Sequence, residues 1–251
     1  MLSQHALVRA LERIGRRAPV RFDEVTRSTQ ETALRMAAEG APEWTLVAAG
    51  HQTEGRGRLG RSWLDEPGRA LMFSLVLRPA LPPERGGLIT LLAGVTVVEA
   101  TAATSGRRAA CRWPNDVLVD GRKAAGILAE SRVEADRFEH VVVGVGVNLG
   151  APPGDVPGAG AVDVADEDLL GAFLAAFAGR YAPADPGFPA AVVDAYRGVC
   201  ATIGARVRAR TTAGHTVQGR AVDVEGTGGL VIRTGGGLEV VRFGEVEHLE
   251  E

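Results

Sequence analysis

Residues 55–63 read Gly-Arg-Gly-Arg-Leu-Gly-Arg-Ser-Trp, which joins permanently charged side chains to an adaptable backbone. Arg56, Arg58 and Arg61 stand among glycines, which accept positive φ and let the main chain approach a ligand closely. Guanidinium groups meet carboxylate and phosphate through paired hydrogen bonds, each worth about 1.5–3 kcal/mol where water is excluded. The stretch therefore predicts an anion site. Taken alone, it is equally typical of a flexible surface turn or a nucleic-acid-binding tail.

A second polar stretch, residues 113–130, reads Trp-Pro-Asn-Asp-Val-Leu-Val-Asp-Gly-Arg-Lys-Ala-Ala-Gly-Ile-Leu-Ala-Glu. Its Asp-Gly pair, at residues 120–121, is a strong signal for a two-residue type I′ hairpin turn. The register that this turn imposes pairs Asp116 with Ala125 and predicts Asp116 and Lys123 on one face, about 7–8 Å apart at the backbone. Such a pair is either a solvent-facing salt bridge, worth at most about 1 kcal/mol, or part of a site.

Other segments of the sequence predict the elements that position these two stretches. Residues 45–50 predict a short buried strand that runs into the glycine-arginine loop. Ser28-Thr-Gln-Glu31 predicts a helix N-terminus with a capping box, in which the Ser28 hydroxyl and the Glu31 carboxylate bond free backbone amides. The loop is thus expected to leave the edge of a sheet beside a helix N-terminus.

A glycine-rich strand is the next element expected near the site. Residues 141–148 form a β-branched run in which Gly144 and Gly146 share one face, so the missing side chains leave a smooth trough. Asn148 ends the run, either as a ligand-facing amide or as a turn-initiating asparagine. Gly126 is expected on the face of the hairpin opposite Lys123, where it would let another backbone approach closely.

The two polar stretches together resemble the biotin protein ligases. In that family a Gly-Arg-Gly-Arg-x-Gly-Arg-x-Trp loop precedes a Trp-Pro-Asn-Asp strand whose hairpin partner carries Lys-x-x-Gly-Ile-Leu, and both motifs occur here without gaps. The resemblance runs from about residue 25 to the C-terminus. It implies an enzyme that uses ATP and Mg²⁺ to activate biotin as biotinyl-5′-AMP. The biotin is then transferred to a lysine of biotin carboxyl carrier protein domains of biotin-dependent carboxylases.

The resemblance also implies roles for individual residues. Lys123 would contact both the biotin carboxylate and the α-phosphate, and Arg56 and Arg58 would help to offset the repulsion between these anions. The residues expected to bind biotin or the adenylate are Ser28, Thr29, Gln30, Gln52, Gly55, Arg56, Gly57, Arg58, Trp63, Trp113, Asn115, Asp116, Lys123, Gly126, Gly146 and Asn148. No metal site held by protein side chains is expected.

Two residues depart from the family pattern. Gln30 stands where the family has asparagine, and its longer amide is expected to reach the same ligand atom. Glu54 stands where the family usually has a small residue. Its carboxylate would either repel the anionic substrates or pair with Arg56 or Arg58 in the empty enzyme.

Composition excludes several classes of protein. A formal net charge of −3 argues against a nucleic-acid binder dominated by phosphate contacts. The two cysteines, Cys111 and Cys200, and five scattered histidines predict neither a disulfide framework nor a zinc site. The apolar runs at residues 88–103 and 141–149 are expected to be too short or too interrupted to span a membrane. A cytoplasmic protein without membrane partners, monomeric or homodimeric, is therefore expected.

The predicted fold is of the α+β class. Residues 1–200 are expected to form the catalytic domain, a mixed β-sheet of the biotin/lipoate ligase type packed with helices. Short strands split by glycine-rich turns predict a small SH3-like β-barrel at residues 201–251. Residues 2–17 predict one amphipathic helix, which is not a helix-turn-helix. The minimal type of ligase, lacking an N-terminal DNA-binding domain and binding no DNA, is thus expected.

Two other functions compete with the ligase. A lipoate or octanoate ligase-like enzyme shares the catalytic fold, although the complete Gly-Arg loop and the Trp-Pro-Asn-Asp motif favour biotin. A catalytically silent biotin-binding scaffold would keep the pocket without turnover, and the departures at Gln30 and Glu54 are the features that support it.

Overall fold

The computed structural model describes residues 2–152, 154, 156–212, 214–242 and 244–249. Met1, Glu250 and Glu251, which the predicted domains include, lie outside the described residues. The helices are α1 (Gln4–Arg13), α2 (Thr29–Ala38), α3 (Gly87–Ser105), α4 (Asp166–Arg180) and α5 (Phe188–Arg197). The strands are β1 (Val20–Thr26), β2 (Leu46–Gln52), β3 (Ala70–Leu77), β4 (Ala109–Arg112), β5 (Asp116–Val119), β6 (Arg122–Glu134), β7 (Arg137–Asn148), β8 (Arg206–Thr211), β9 (Thr216–Val224), β10 (Leu230–Thr234), β11 (Gly237–Val241) and β12 (Gly244–His248).

The first seven strands form one sheet in the order β1-β2-β3-β7-β6-β5-β4. Strands β1 and β2 are parallel, and the other neighbouring pairs are antiparallel, so the sheet is mixed, as predicted. One face carries the main core, where α3, α4 and α5 pack on inward valines and leucines of the sheet. The opposite face carries α2 over a smaller cluster that includes Ala33, Val76 and Val142.

Helix α3 is the centre of the main core. It is apolar on all sides and ends at Gly106, whose φ of +66° places it in the left-handed conformation that glycine tolerates. Among the described residues, one helix, Pro83–Ser105, is long and apolar enough to cross a membrane by length and composition. The length expectation for this run was therefore wrong, yet 67% of its apolar window is buried inside the protein, as in a core helix.

The remaining five strands form an antiparallel sheet in the order β11-β10-β9-β8-β12. The predicted barrel is therefore open, because β11 and β12 are the two edges of this sheet in the described part of the chain. Strand β12, which was not predicted from the sequence, pairs with β8 through Glu245↔Arg210 and Glu247↔Arg208. The preceding residue, Phe243, lies outside the described residues.

The hairpin of β5 and β6 differs from the predicted register by a bulge. Asp120 and Gly121 both have positive φ, as a type I′ turn requires. Beyond the turn the register shifts, so Asp116 pairs with Gly126 and not with Ala125. A bulge adds one residue to one strand and reverses which side chains share a face beyond it. Gly126 therefore lies on the same face as Lys123, which corrects the expectation that it lay opposite.

Candidate active site

A cavity of about 170 Å³ lies between the N-terminus of α2, the glycine-arginine loop and strands β6 and β7. All the predicted binding residues line it except Gly55 and Asn148. The fold therefore brings these residues together from distant parts of the chain. Their roles toward a ligand remain predictions.

The glycine-arginine loop is itself a small hairpin. Gly57 N–H donates to Arg61 O at 2.7 Å, and Trp63 N–H donates to Gly55 O at 2.9 Å. Leu59, at the tip, has a φ of +54° and is 58% exposed. A Cβ built at Gly55 would lie 2.4 Å from Trp63 O, so a side chain there would force the two strands of the loop apart. Gly55 thus shapes the loop rather than lining the cavity.

The arginines of the loop are held by partners from other elements. Arg56 forms an ion pair with Glu130 of β6 at 2.8 Å, and Arg61 forms one with Glu245 of β12 at 2.5 Å. All four side chains are partly or largely exposed, so these contacts are easily exchanged for other anions. The loop is therefore tied to both sheets through charges that a bound anion can also satisfy.

Arg58 differs from the other two arginines because it is half-buried and its hydrogen bonds go to neutral oxygens. It donates to Asn115 Oδ1 at 3.0 Å and to Gly244 O at 3.2 Å. Loss of solvent lowers the pKa of Arg58, and Glu245 and Asp116 oppose this only from a distance. A cation in this position is stabilised by any anion that enters the cavity.

Lys123 and Asp116 meet at the centre of the site. Lys123 Nζ lies 2.6 Å from Asp116 Oδ1, and Arg112 lies 2.6 Å from the other carboxylate oxygen. Lys123 pairs with Leu118, so Lys123 and Asp116 share one face of the hairpin, as the turn predicted. Arg112 was not predicted, although its position directly before the Trp-Pro-Asn-Asp motif was a usable signal. One carboxylate thus orients two cations toward the cavity.

The floor of the cavity is formed by glycines beneath the Trp63 ring. A Cβ built at Gly146 would lie 2.6 Å from Trp63 Cε2, and one built at Gly126 would lie 3.1 Å from Trp63 Cζ3. These glycines are therefore needed for the indole to lie flat on the sheet. The trough predicted on β7 exists, and an aromatic side chain of the protein's own loop covers part of it.

Several buried polar atoms of the site have no hydrogen-bond partner within the described residues, namely Ser28 Oγ, Trp63 Nε1 and Glu130 Oε2. Burying such groups unpaired costs about 1–3 kcal/mol each, which a polar ligand would recover. The capping box predicted at Ser28 is wrong. Ser28 is the N-cap of α2, but its hydroxyl makes no capping bond, and Glu31 pairs with Arg27 instead.

The contacts of Glu54 and Gln30 show where the two departures from the family pattern lie relative to the cavity. Glu54 forms a paired ion contact with Arg27 at the protein surface, so it pairs with neither Arg56 nor Arg58. The Arg27 hydrogen bond lowers the pKa of the Glu54 carboxyl. Gln30 lies in the wall of the cavity and bonds to Val142 O and Ser74. Ser74 was not predicted, although it is the one polar residue in the apolar run of β3.

Asn148 lies at the end of β7 outside the cavity lining. Its side-chain amide donates to Gly160 O at 2.9 Å, and its backbone oxygen accepts a hydrogen bond from Val162. These bonds fix the chain that follows β7. A contact between Asn148 and a nucleotide remains a prediction.

No cluster of three or more histidine, cysteine, aspartate or glutamate side chains suited to a metal ion occurs in the part of the chain that the structure describes. The carboxylates nearest the cavity, Asp116, Glu130 and Glu245, are each engaged by a lysine or arginine. A divalent cation at this site would therefore arrive with the phosphates of a nucleotide.

Two family comparisons cover most of the chain. Residues 22–148 match the Biotin/lipoate A/B protein ligase family, and residues 202–249 match the Biotin protein ligase C terminal domain. The chain is 36% identical over 236 residues to the Biotin--[acetyl-CoA-carboxylase] ligase of Mycobacterium tuberculosis, covering 89% of this chain and 86% of that protein. The chain belongs to the biotin protein ligase family. The chain is also 32% identical over 235 residues to the Biotin--[acetyl-CoA-carboxylase] ligase of Paracoccus denitrificans, covering 88% of this chain and 97% of that protein.

Solved structures of biotin protein ligases share its fold. The ligase from Aquifex aeolicus in complex with biotin and ATP aligns with a TM-score of 0.75 over 93% of this chain and 99% of that one, at 24% identity. The ligase from Leishmania major in complex with biotin aligns with a TM-score of 0.62 over 92% of this chain, at 21% identity. At these identities the likeness concerns the fold, and it includes the C-terminal sheet.

Proposed function

We propose that the protein is a biotin--[biotin carboxyl-carrier protein] ligase, which uses ATP to form biotinyl-5′-AMP and transfers biotin to a lysine of a carrier domain. The observation that carries this proposal is the convergence of Lys123, Arg56 and Arg58 on one cavity that also contains unpaired buried polar atoms. The curated relatives named above are biotin ligases, which supports the same activity. The alternative lipoate ligase has no specific contact in its favour.

The first half-reaction requires two anions to meet. The biotin carboxylate attacks the α-phosphorus of ATP, and pyrophosphate leaves, so negative charge is concentrated at the point of attack. Lys123 lies at the junction of the two groups and bonds an oxygen of each. Arg58 is half-buried, and its hydrogen bonds among the described residues go to two neutral oxygens. It therefore stabilises the phosphate more strongly than an exposed arginine would.

Asp116 acts through Lys123. Its carboxylate holds the ammonium at 2.6 Å before substrate binds, which fixes the lysine side chain in position at no entropic cost during the reaction. Arg112 binds the other oxygen of this carboxylate. This second ion pair weakens the hold of Asp116 on Lys123, so that a substrate oxygen can compete for the lysine. Arg56 exchanges Glu130 for a substrate oxygen when the loop closes over the adenylate.

The second half-reaction places an uncharged lysine amine of the carrier against the carbonyl carbon of the adenylate. AMP then leaves, and an amide forms. Until the carrier arrives, the mixed anhydride must be kept from water. The hairpin of the glycine-arginine loop and the Trp63 ring cover the cavity and serve this purpose.

The remaining features of the proposal follow from the activity. Mg²⁺ would accompany the phosphates of ATP, and the partners would be biotin carboxyl carrier domains of biotin-dependent carboxylases. We place the enzyme in the cytoplasm as a monomer or homodimer, with the catalytic domain at residues 1–200 and the SH3-like domain at residues 201–251. Glu54 is paired at the surface, so it gives no support to a silent biotin-binding scaffold.

The decisive experiment is biotin-dependent exchange of radiolabelled pyrophosphate into ATP, with lipoate as the control acid. This exchange reports the first half-reaction alone and needs no carrier protein. Exchange with biotin but not with lipoate is the expected result. Exchange with lipoate alone would identify a lipoate ligase, and no exchange with either acid would leave a binding protein without turnover.

A further inference from the structure

The glycine-arginine loop, residues 55–63, is held in different ways at its two ends. Before the loop, the backbone N–H groups of residues 53–54 donate to carbonyl groups at and just after the end of β1, at 2.9 and 2.8 Å. The chain that leaves the loop lacks such backbone bonds. In the part of the chain that the structure describes, residues 62–66 make hydrogen bonds to the seven-stranded sheet through one side chain, that of Asp65.

Asp65 is a buried carboxylate that joins the outgoing end of the loop to β2. Its side chain has no exposed surface, and one of its oxygens lies 2.8 Å from His51 Nδ1. The other oxygen accepts a longer hydrogen bond, of 3.4 Å, from the backbone N–H of Gln52. An ionised carboxylate can only accept, so Nδ1 of the histidine carries the hydrogen atom in this pair. These two residues form what we call the His51–Asp65 clasp.

The clasp lies beside the cavity and not in it. Neither His51 nor Asp65 lines the cavity, whereas Gln52 and Trp63 do. The Trp63 ring lies so close to Gly146 that a Cβ built there would be 2.6 Å from it. Because Trp63 stands two residues before Asp65, the place where the chain is fastened to β2 determines where the ring can lie.

We propose that His51 and Asp65 are positioning residues, which fasten the outgoing end of the loop so that Trp63 stays over the cavity. A buried carboxylate that loses its hydrogen-bond donor is costly, and it moves to water when its segment of chain is free to follow. Loss of the His51 donor therefore draws Asp65 outward, and Trp63 moves with it. This inference rests on the proposed function, and it adds two residues outside the cavity to those that keep water from the adenylate.

Three variants and one control separate the clasp from the general packing of this region. His51→Leu keeps a side chain of similar size but removes the donor, and Asp65→Ala removes the acceptor. His51→Asn is the conservative variant, because its amide nitrogen can donate from the place of Nδ1. Glu66→Gln is the matched control, since Glu66 follows Asp65 in the chain but is largely exposed and pairs with Arg69.

Two rates are measured with biotin and ATP in the absence of any carrier protein. Release of pyrophosphate in the first turnover reports formation of the adenylate, and steady production of AMP reports its hydrolysis or escape. In His51→Leu and Asp65→Ala, AMP production is expected to rise at least about tenfold while the first-turnover rate stays within about threefold. The first-turnover rate is kept because Lys123 and Arg58 have anchors of their own.

His51→Asn and Glu66→Gln should match the unmodified protein in both rates. General damage to the fold lowers the two rates together, so it cannot imitate a rise in AMP production alone. Hydrogen exchange of the ligand-free protein tests the clasp without turnover. The N–H groups of Gly57 and Trp63 are bonded across the loop, so peptides that cover residues 55–66 report its closure.

Exchange in these peptides is expected to quicken in His51→Leu and Asp65→Ala and to be unchanged in His51→Asn. Unchanged exchange or unchanged AMP production in both of the first two variants overturns the inference, as does an equal increase in His51→Asn. Absence of first-turnover pyrophosphate release in the unmodified protein instead overturns the proposed function, and hydrogen exchange then decides alone whether the clasp holds the loop.

Discussion

At the level of single residues, the site is a set of cations whose counter-ions are already present. Lys123 binds Asp116, Arg56 binds Glu130, and Arg61 binds Glu245. These pairs orient the charged side chains without substrate, and under the proposed mechanism a cation that binds the substrate exchanges its carboxylate for an oxygen of that ligand. The consequence is that removing a cation should harm catalysis far more than folding.

Lys123→Ala should lower biotin-dependent pyrophosphate exchange by at least about 100-fold, because the junction of carboxylate and phosphate loses its bridging cation. Its stability should change by less than about 1 kcal/mol, since the Lys123 side chain is 38% exposed and its ion pair is screened by water. Exchange and thermal unfolding are measured on the same preparation. Arg122→Ala, an exposed neighbour on the same strand, is the control and should keep its activity. Full exchange by Lys123→Ala would remove this lysine from the mechanism.

Glu54→Gln tests the departure from the family pattern at the start of the loop. Because Glu54 bonds Arg27 and not the arginines that face the cavity, its charge should have little influence on the substrates. We expect pyrophosphate exchange within about twofold of the unmodified protein, and an unchanged KM for ATP. An increase of tenfold or more in exchange would mean that the carboxylate repels the nucleotide after all.

At the level of elements, the regular hairpin turn was predicted from the sequence, whereas the bulge in β6 and the uncapped hydroxyl of Ser28 were not. The type I′ turn at residues 120–121 follows from local backbone chemistry and was correct. The bulge in β6 was not predictable, because it depends on how the strand packs beside β7 rather than on the turn. The Ser28 hydroxyl makes no capping bond, although the residues around it have the pattern of a capping box. A capping bond forms in a solvated helix terminus, whereas this terminus faces a cavity.

The Gly146 position on β7 tests how the floor of the cavity is built. In Gly146→Ala the added carbon would lie 2.6 Å from Trp63, so the indole must move. Affinity for biotin should fall by at least about tenfold, since overpacking of this kind costs about 1–3 kcal/mol. Calorimetry measures the affinity, and tryptophan fluorescence reports the displaced ring. Gly179→Ala, where nothing lies within 4 Å, should change neither quantity. Unchanged affinity in Gly146→Ala would show that Trp63 does not shape the pocket.

At the level of the whole molecule, the two sheets meet at the active site. Trp113, in the cavity wall, donates from Nε1 to Gly228 O in the turn between β9 and β10, and Arg58 donates to Gly244 O of β12. The sequence predicted two domains but could not show that they share a site, because these contacts join residues more than 100 positions apart. The C-terminal part of the chain therefore contacts two residues that line the cavity directly.

His248 connects the two sheets in a way that depends on pH. Thr202 Oγ1 accepts a hydrogen bond from Trp113 N–H at 3.0 Å and lies 3.1 Å from His248 Nε2. The His248 ring therefore packs against a hydroxyl that is bonded to the cavity wall. Burial lowers the pKa of His248, and the nearby Arg112 guanidinium lowers it further. The unfolded chain, with the ordinary histidine pKa, therefore binds a proton more readily than the folded protein does.

The stabilisation from His248 should thus be complete above the ordinary histidine pKa, about 6.5, and be lost as pH falls through the lowered pKa of the folded protein. Melting temperatures measured from pH 8 to pH 5 should fall less steeply in His248→Asn than in the unmodified protein. Burial also lowers the pKa of His140, so a residual slope is expected in this variant. His215→Asn, in the connection between β8 and β9, controls for removing a histidine elsewhere in the domain. Identical slopes in His248→Asn and the unmodified protein would mean that protonation of His248 does not weaken the junction between the two sheets.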